Sequence, residues 1–218
     1  MKIIISTSLK DITLSQYQNY QKEIDASVNR PDQMEYLNIK KIQIFCGLTQ
    51  AEVYNIQLGE VYDIAERIEL ILQEQPQLVE SFELNKIKFG WVTELDKLSY
   101  GEFLDLNGNI SDWDTMQAAM AVLYRPIIKE QSGGLYLVEK YKGDKYHKDL
   151  LNMPMDAVIG SMVFFWNLGM DLASCIIKSL EADKEVMNQV NFQDNGIGIA
   201  QSMNLLEETL QNMKRLHN

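Results

Sequence analysis

Cysteine is nearly absent, with Cys46 and Cys175 the only two in 218 residues. Two thiols so far apart cannot form the disulfide framework of a secreted scaffold. With no Cys-x-x-Cys pair and no neighbouring histidine, neither carries a metal-site pattern. Both lie among apolar residues in helical patterns, which reads as two buried small hydrophobes in a reducing compartment. Histidine is equally scarce. His147 stands in a polar stretch and His217 near the end of the chain. Neither has glutamate or cysteine spaced to complete a metal or catalytic set, so both are expected at the surface.

Positive charge is the third deficit: 20 Lys+Arg stand against 31 Asp+Glu, a formal charge of −11. Such a field repels phosphate backbones and anionic lipid, so neither a nucleic-acid nor a membrane partner is expected. The densest basic stretch, Lys129 to Lys148, is diluted by Glu130, Glu139 and Asp144 and reads as solvated surface. Long hydrophobic runs are missing too. Ile3-Ile4-Ile5 is too short for a signal peptide. The stretch from Val158 to Ile177 is interrupted by Asn167 and Asp171, which favours a core helix over a membrane span. What remains, 46% hydrophobic and 23% charged, is the composition of a folded globular chain.

Apolar spacing organises that chain into helices. Ile3 to Ser6 reads as a short strand, after which Asp11 or Thr13 caps a helix carrying Leu14, Tyr17, Tyr20 and Ile24. A second helix starts after Pro31, bears Met34, Leu37, Ile42 and Phe45, and stops at Gly47. Thr49-Gln-Ala-Glu52 and Ser99-Tyr-Gly-Glu102 are capping boxes, each opening a helix by satisfying free first-turn amides. Between them, Val61, Ile64, Ala65, Ile68 and Leu72 mark an amphipathic helix that ends before Pro76. Met116, Ala119, Met120 and Leu123 mark another, capped by Asp112 or Asp114 and halted by Arg125-Pro126.

Period-two alternation in Phe82–Leu84 and Ile87–Val92 around Asn85-Lys86 predicts a β-hairpin. An isolated hairpin is marginal in water, and the N-terminal strand is the expected third member. Segment 127–148 is polar and glycine-punctuated, and reads as an exposed loop or a small second hairpin through Leu135–Val138. A long helix is expected from Pro154 to about Leu180, a turn at Asp194-Asn195-Gly196, and a last helix from about Ile199 to Leu216. The expected fold is α+β: one mainly helical domain over 1–218, of about eight helices, with a small antiparallel sheet from the N-terminal strand and the hairpin near 82–92.

No constellation commits the chain to chemistry. Asp105-Leu-Asn-Gly-Asn-Ile-Ser111 has a superficial calcium-loop look. Its glycine falls at the fourth position instead of the sixth, and Met116 stands where a bidentate glutamate is needed, so a helix–turn–helix connection accounts for it better. Asn195-Gly-Ile-Gly198 lacks the lysine and hydroxyl of a phosphate loop. No catalytic, cofactor-binding or metal residue is therefore assigned, no cofactor is expected, and the chain is not expected to be an enzyme. Eleven methionines and ten tyrosines are its more unusual feature, since thioethers and amphipathic rings suit adaptable binding surfaces. Even so, Met153-Pro-Met155 and Phe164-Phe165-Trp166 read first as packing, with Phe165 and Trp166 expected in the core. The loop Lys140 to Lys148 is the expected partner contact.

Four stretches together carry a resemblance: Lys10-Asp-Ile-Thr-Leu-Ser-Gln-Tyr-Gln18, Leu98-Ser-Tyr-Gly-Glu-Phe-Leu-Asp-Leu106, Ala119-Met-Ala-Val-Leu-Tyr-Arg-Pro126 and Val163-Phe-Phe-Trp-Asn-Leu168. Spread over most of the chain, they are similar to those of a family of small tailed-bacteriophage proteins labelled tail-assembly-chaperone-like or virion proteins. The motifs are caps and core positions, so no functional residue transfers with them. The resemblance implies a bacteriophage morphogenesis protein, a tail-assembly chaperone that binds virion structural subunits in the host cytoplasm. Two alternatives stand beside it: a permanent virion component such as a ring or connector subunit, and a phage inhibitor of a host protein. Partners under these readings are viral structural proteins, with a homo-oligomer also open.

Overall fold

The computed structural model describes residues 3–165 together with 167, 168 and 171. Trp166, Cys175, His217, the Asp194–Gly196 turn, the Asn195–Gly198 stretch, the last expected helix and the far end of the long one lie outside the described residues. The chain divides into two compact units, Met1–Gly160 and Ser161–Asn218.

In the first unit three helices begin on capping boxes. Helix α1 (Leu14–Ser27) opens on Thr13, whose hydroxyl accepts from the Gln16 amide at 3.2 Å while the Gln16 side chain accepts from the Thr13 amide at 2.9 Å. Helix α2 (Gln33–Cys46) ends at Gly47, which adopts the left-handed conformation (φ 69°) that suits glycine at this position. Helix α3 (Gln50–Tyr54) and helix α5 (Tyr100–Asn109) open on the Thr49 and Ser99 boxes. Helix α4 (Leu58–Leu72) buries Ile64, Ala65, Ile68 and Ile71, spaced no more than a turn apart, on its core side. The helices α1, α2 and α4 pack in succession, with the rings of Tyr20 and Phe45 meeting edge to face at 5.4 Å. Cys46 is half-buried at the end of α2, less enclosed than its apolar flanks suggest.

Helix α6 (Met116–Leu123) is the most enclosed of these segments, with Met116 and every residue from Ala119 to Leu123 buried. Its methionines join Met153 and Met155, all four fully enclosed, so these thioethers serve packing.

Strands β1 (Ser81–Leu84) and β2 (Ile87–Trp91) form the expected hairpin, and both turn residues, Asn85 (φ 52°) and Lys86 (φ 65°), take the positive φ that matches strand twist. The third strand is not the N-terminus. Residues 3–7 carry no strand, and β2 instead pairs with β3 (Tyr124–Glu130), which pairs with β4 (Tyr136–Val138) in the antiparallel order β1-β2-β3-β4. Arg125-Pro126 halts α6 as expected, but the chain continues as strand because Pro126 meets β2 at a position that needs no donor. Its neighbour Arg125 is the residue paired with Gly90, while the Pro126 carbonyl faces the other way and accepts from the Glu139 amide at 2.8 Å. A bulge between Ile127 and Lys129 follows at once.

Phe82, Phe89, Trp91 and Tyr124 form an aromatic cluster on one sheet face, with centroid separations of 5.1 to 5.6 Å. The Tyr124 hydroxyl donates to the Val79 carbonyl at 2.7 Å, which satisfies that polar atom within the cluster. On the other face Gly90 lies directly under Tyr136 and Ile127.

In the second unit, residues 161–165 are helical, and the rings of Phe164 and Phe165 stand edge to face at 5.7 Å, each half-buried. No helix among the described residues is long and apolar enough to cross a membrane.

Candidate protein-binding surface

The segment expected to contact a partner, Lys140 to Lys148, is tied down by its own charges. Glu139 Oε1 pairs with Lys142 and lies 3.6 Å from Lys145, and its Oε2 accepts from the Tyr146 hydroxyl at 2.7 Å. The hydrogen bonds from Lys142 and Tyr146 pull the Glu139 carboxyl down to about 2. Tyr146 in turn sets its ring edge to face on Phe89 at 5.6 Å, which fixes the segment to the sheet. His147, expected at the surface of a loop, is half-buried at the start of the single-turn helix α7 (His147–Leu150), with an enclosed Nε2 that has no hydrogen-bond partner.

The same segment is fastened to α5. Tyr141 donates its hydroxyl to Asp105 Oδ2 at 2.8 Å and lies 5.5 Å from the Arg125 guanidinium, ring centroid to carbon. Arg125 donates from Nε to the Val122 carbonyl at 3.0 Å and pairs through Nη2 with Glu102 Oε1 at 2.5 Å. Burial pushes the Glu102 carboxyl up, but the Ser99 hydrogen bonds and the charge of Arg125 outweigh it, and the net direction is down. Glu102 thus does two things: it completes the cap of α5 and holds the start of β3 against that helix.

Because α5 is anchored through Glu102 and the buried Leu106, its other apolar residues are left facing water. Tyr100, Phe103 and Leu104 are 76%, 40% and 49% exposed and fall at i, i+3 and i+4, a continuous stripe on one side of the helix. Glu94, Asp96 and Asp105, all exposed, lie near the stripe in sequence, with Glu94 paired to the exposed Lys97 at 2.5 Å. A second apolar group, Tyr54, Leu58 and Tyr62, projects at the junction of α3 and α4, beside Glu52, Glu60, Asp63 and Glu66. Apolar spacing along α5 gives Phe103 and Leu104 no mark that separates them from Leu106. It could not distinguish a helix packed along its whole apolar arc from one packed along part of it. The available signal was Tyr100, which extends the apolar arc beyond what one neighbour can cover.

Asp105, the first residue of the calcium-like stretch, is helical and engaged by Tyr141, and no group of three or more His, Cys, Asp or Glu side chains converges among the described residues. No protein family, curated protein or solved structure matches the chain.

Proposed function

We propose that this chain is a non-enzymatic bacteriophage morphogenesis protein, a tail-assembly chaperone that holds a virion structural subunit against the apolar stripe of α5. The stripe supports this best: three large exposed apolar side chains, adjacent on one helix, form a surface that a monomer in water has reason to avoid and a binding protein has reason to keep. The −11 charge of the chain favours a partner with basic residues around an apolar patch and keeps copies of the chain apart in solution. The resemblance of Leu98–Leu106 to the phage family covers this same helix.

The test is affinity purification of the tagged protein from infected cells, with mass spectrometry of the eluate and of purified particles. The expected result is tail subunits in the eluate, absence from particles, and loss of capture when Tyr100, Phe103 and Leu104 are changed together to serine. A stoichiometric signal in particles would overturn the chaperone role in favour of a virion component, and a host complex in the eluate would favour an inhibitor.

A further inference from the structure

Strand β1 is an edge strand, and its free side faces a cleft. The two-residue hairpin turn fixes which backbone groups point where: Leu84 pairs with Ile87, Phe82 with Phe89, and the Trp91 amide donates to the Glu80 carbonyl at 2.8 Å. Alternation along an antiparallel pair then turns the N–H and C=O groups of Ser81 and Glu83 away from β2. No hydrogen bond engages either of these amides among the described residues. Such an edge is an open template for another extended chain unless it is covered.

It is walled rather than covered. Every residue of β1 lines a cleft of ≈ 580 Å3 whose far side is formed by Thr13, Asn152, Pro154 and Asp156. That volume lies within the roughly 300–1,000 Å3 of ordinary ligand clefts. The far wall is firm. It is stitched by Leu14 N to Met153 O at 3.0 Å, Ser15 N to Leu151 O at 2.8 Å and Met155 N to Ile12 O at 2.9 Å, over the buried side chains of Ile12, Leu14, Met153 and Met155.

From this geometry we infer that the cleft takes one extended, uncharged segment of a partner polypeptide, which adds to the free edge of β1 as a further strand. The inference rests on the protein-binding reading above and supplies a recognition mode for it. An outward row of alternating backbone donors and acceptors is matched by another extended backbone and by little else. Four residues of extended chain, the length of β1, span about 13 Å. Charge points the same way: Lys10, Lys88, Glu83 and Asp156 line the cleft, two of each sign, so no net field selects a charged segment.

The test selects binders to the full-length protein from a randomised library of eight-residue peptides. Each selected peptide is then remade with alternate amides N-methylated. The expected result is enrichment of uncharged peptides whose affinity falls tenfold or more on N-methylation, which removes the donors a ladder requires, and falls similarly against Glu83→Pro. That substitution deletes an outward N–H but no bond to β2. If Glu83→Pro does not fold, the N-methylated peptides decide alone. Enrichment of nothing, N-methylated peptides that bind unchanged, or binding that is lost in the α5 triple-serine variant would each overturn strand addition. Capture of a tail subunit from infected cells by Glu83→Pro and wild type alike would also overturn it while leaving the assembly reading intact. Cleft-bound peptides without any captured subunit would do the reverse.

Discussion

Replacing Glu102 with glutamine tests how α5 is held. The substitution keeps an oxygen able to accept from the Ser99 amide, an interaction of 2.6 Å, but removes the charge that faces Arg125. Both side chains are nearly enclosed, 10% exposed for Arg125 and 13% for Glu102, so the guanidinium loses its anion in a place where water replaces little of it. Breaking such a pair costs about 3–5 kcal/mol. The lower figure applies here, because the Val122 carbonyl still accepts from Nε and the Tyr141 ring still lies against the cation. With a urea slope of about 2 kcal/mol/M, a loss of about 3 kcal/mol moves the unfolding midpoint down by about 1.5 M. Tryptophan fluorescence in a urea titration reads this directly. A companion variant, Glu102→Gln with Arg125→Met, recovers most of the loss, since two uncharged side chains leave no buried ion unpaired. The pH dependence has a definite sign. The folded pKa of Glu102 lies below its unfolded value, so its contribution is complete above the unfolded value of about 4.3 and disappears as pH falls through the folded one. A midpoint shift in Glu102→Gln smaller than about 0.3 M would refute the assignment of Glu102–Arg125 as a buried, coupled pair.

Three further outcomes follow from the same geometry. Gly90→Ala places a methyl 2.5 Å from Tyr136 Cε2 and 2.9 Å from Ile127 Cγ1; Tyr136 is held by hydrogen bonds to the Glu80 and Trp91 carbonyls, so the overlap lowers stability by about 1–3 kcal/mol in a thermal melt. Thr13→Ala removes the hydroxyl of the first capping box and costs about 1 kcal/mol, whereas Thr13→Ser restores it. Glu139 holds the 140–146 segment through Lys142 and Tyr146, and its folded pKa is depressed to about 2. The closed segment is therefore intact above the unfolded glutamate value and loosens as pH falls towards 2, measurable as a loss of amide protection there. Glu139→Gln shows the loosening at neutral pH.

Local chemistry by itself determined where elements begin and end. Thr13, Thr49 and Ser99 each place a hydroxyl three residues before a Gln or Glu, Gly47 supplies a left-handed terminus, and Asn85-Lys86 supply the turn, all interactions complete within a few residues. The mainly helical α+β class followed from those signals and from apolar spacing. Long-range competition decided the rest. Ile3–Ile5 has strand propensity as good as that of Tyr124–Ile128, but β2 has one open edge, and the chain leaving α6 reaches it with Arg125 already tied to Glu102. Burial was likewise settled by neighbours: Phe103 and Leu104 satisfy the same periodicity as Leu106, yet only Leu106 is covered, because Glu102 and Arg125 fix the side of α5 that meets the rest of the fold. The cleft beside β1 could not be read in advance at all. It exists because residues 12–15 and 151–155, remote in sequence, bond to each other opposite a strand edge, and a sequence does not disclose which distant backbones will meet.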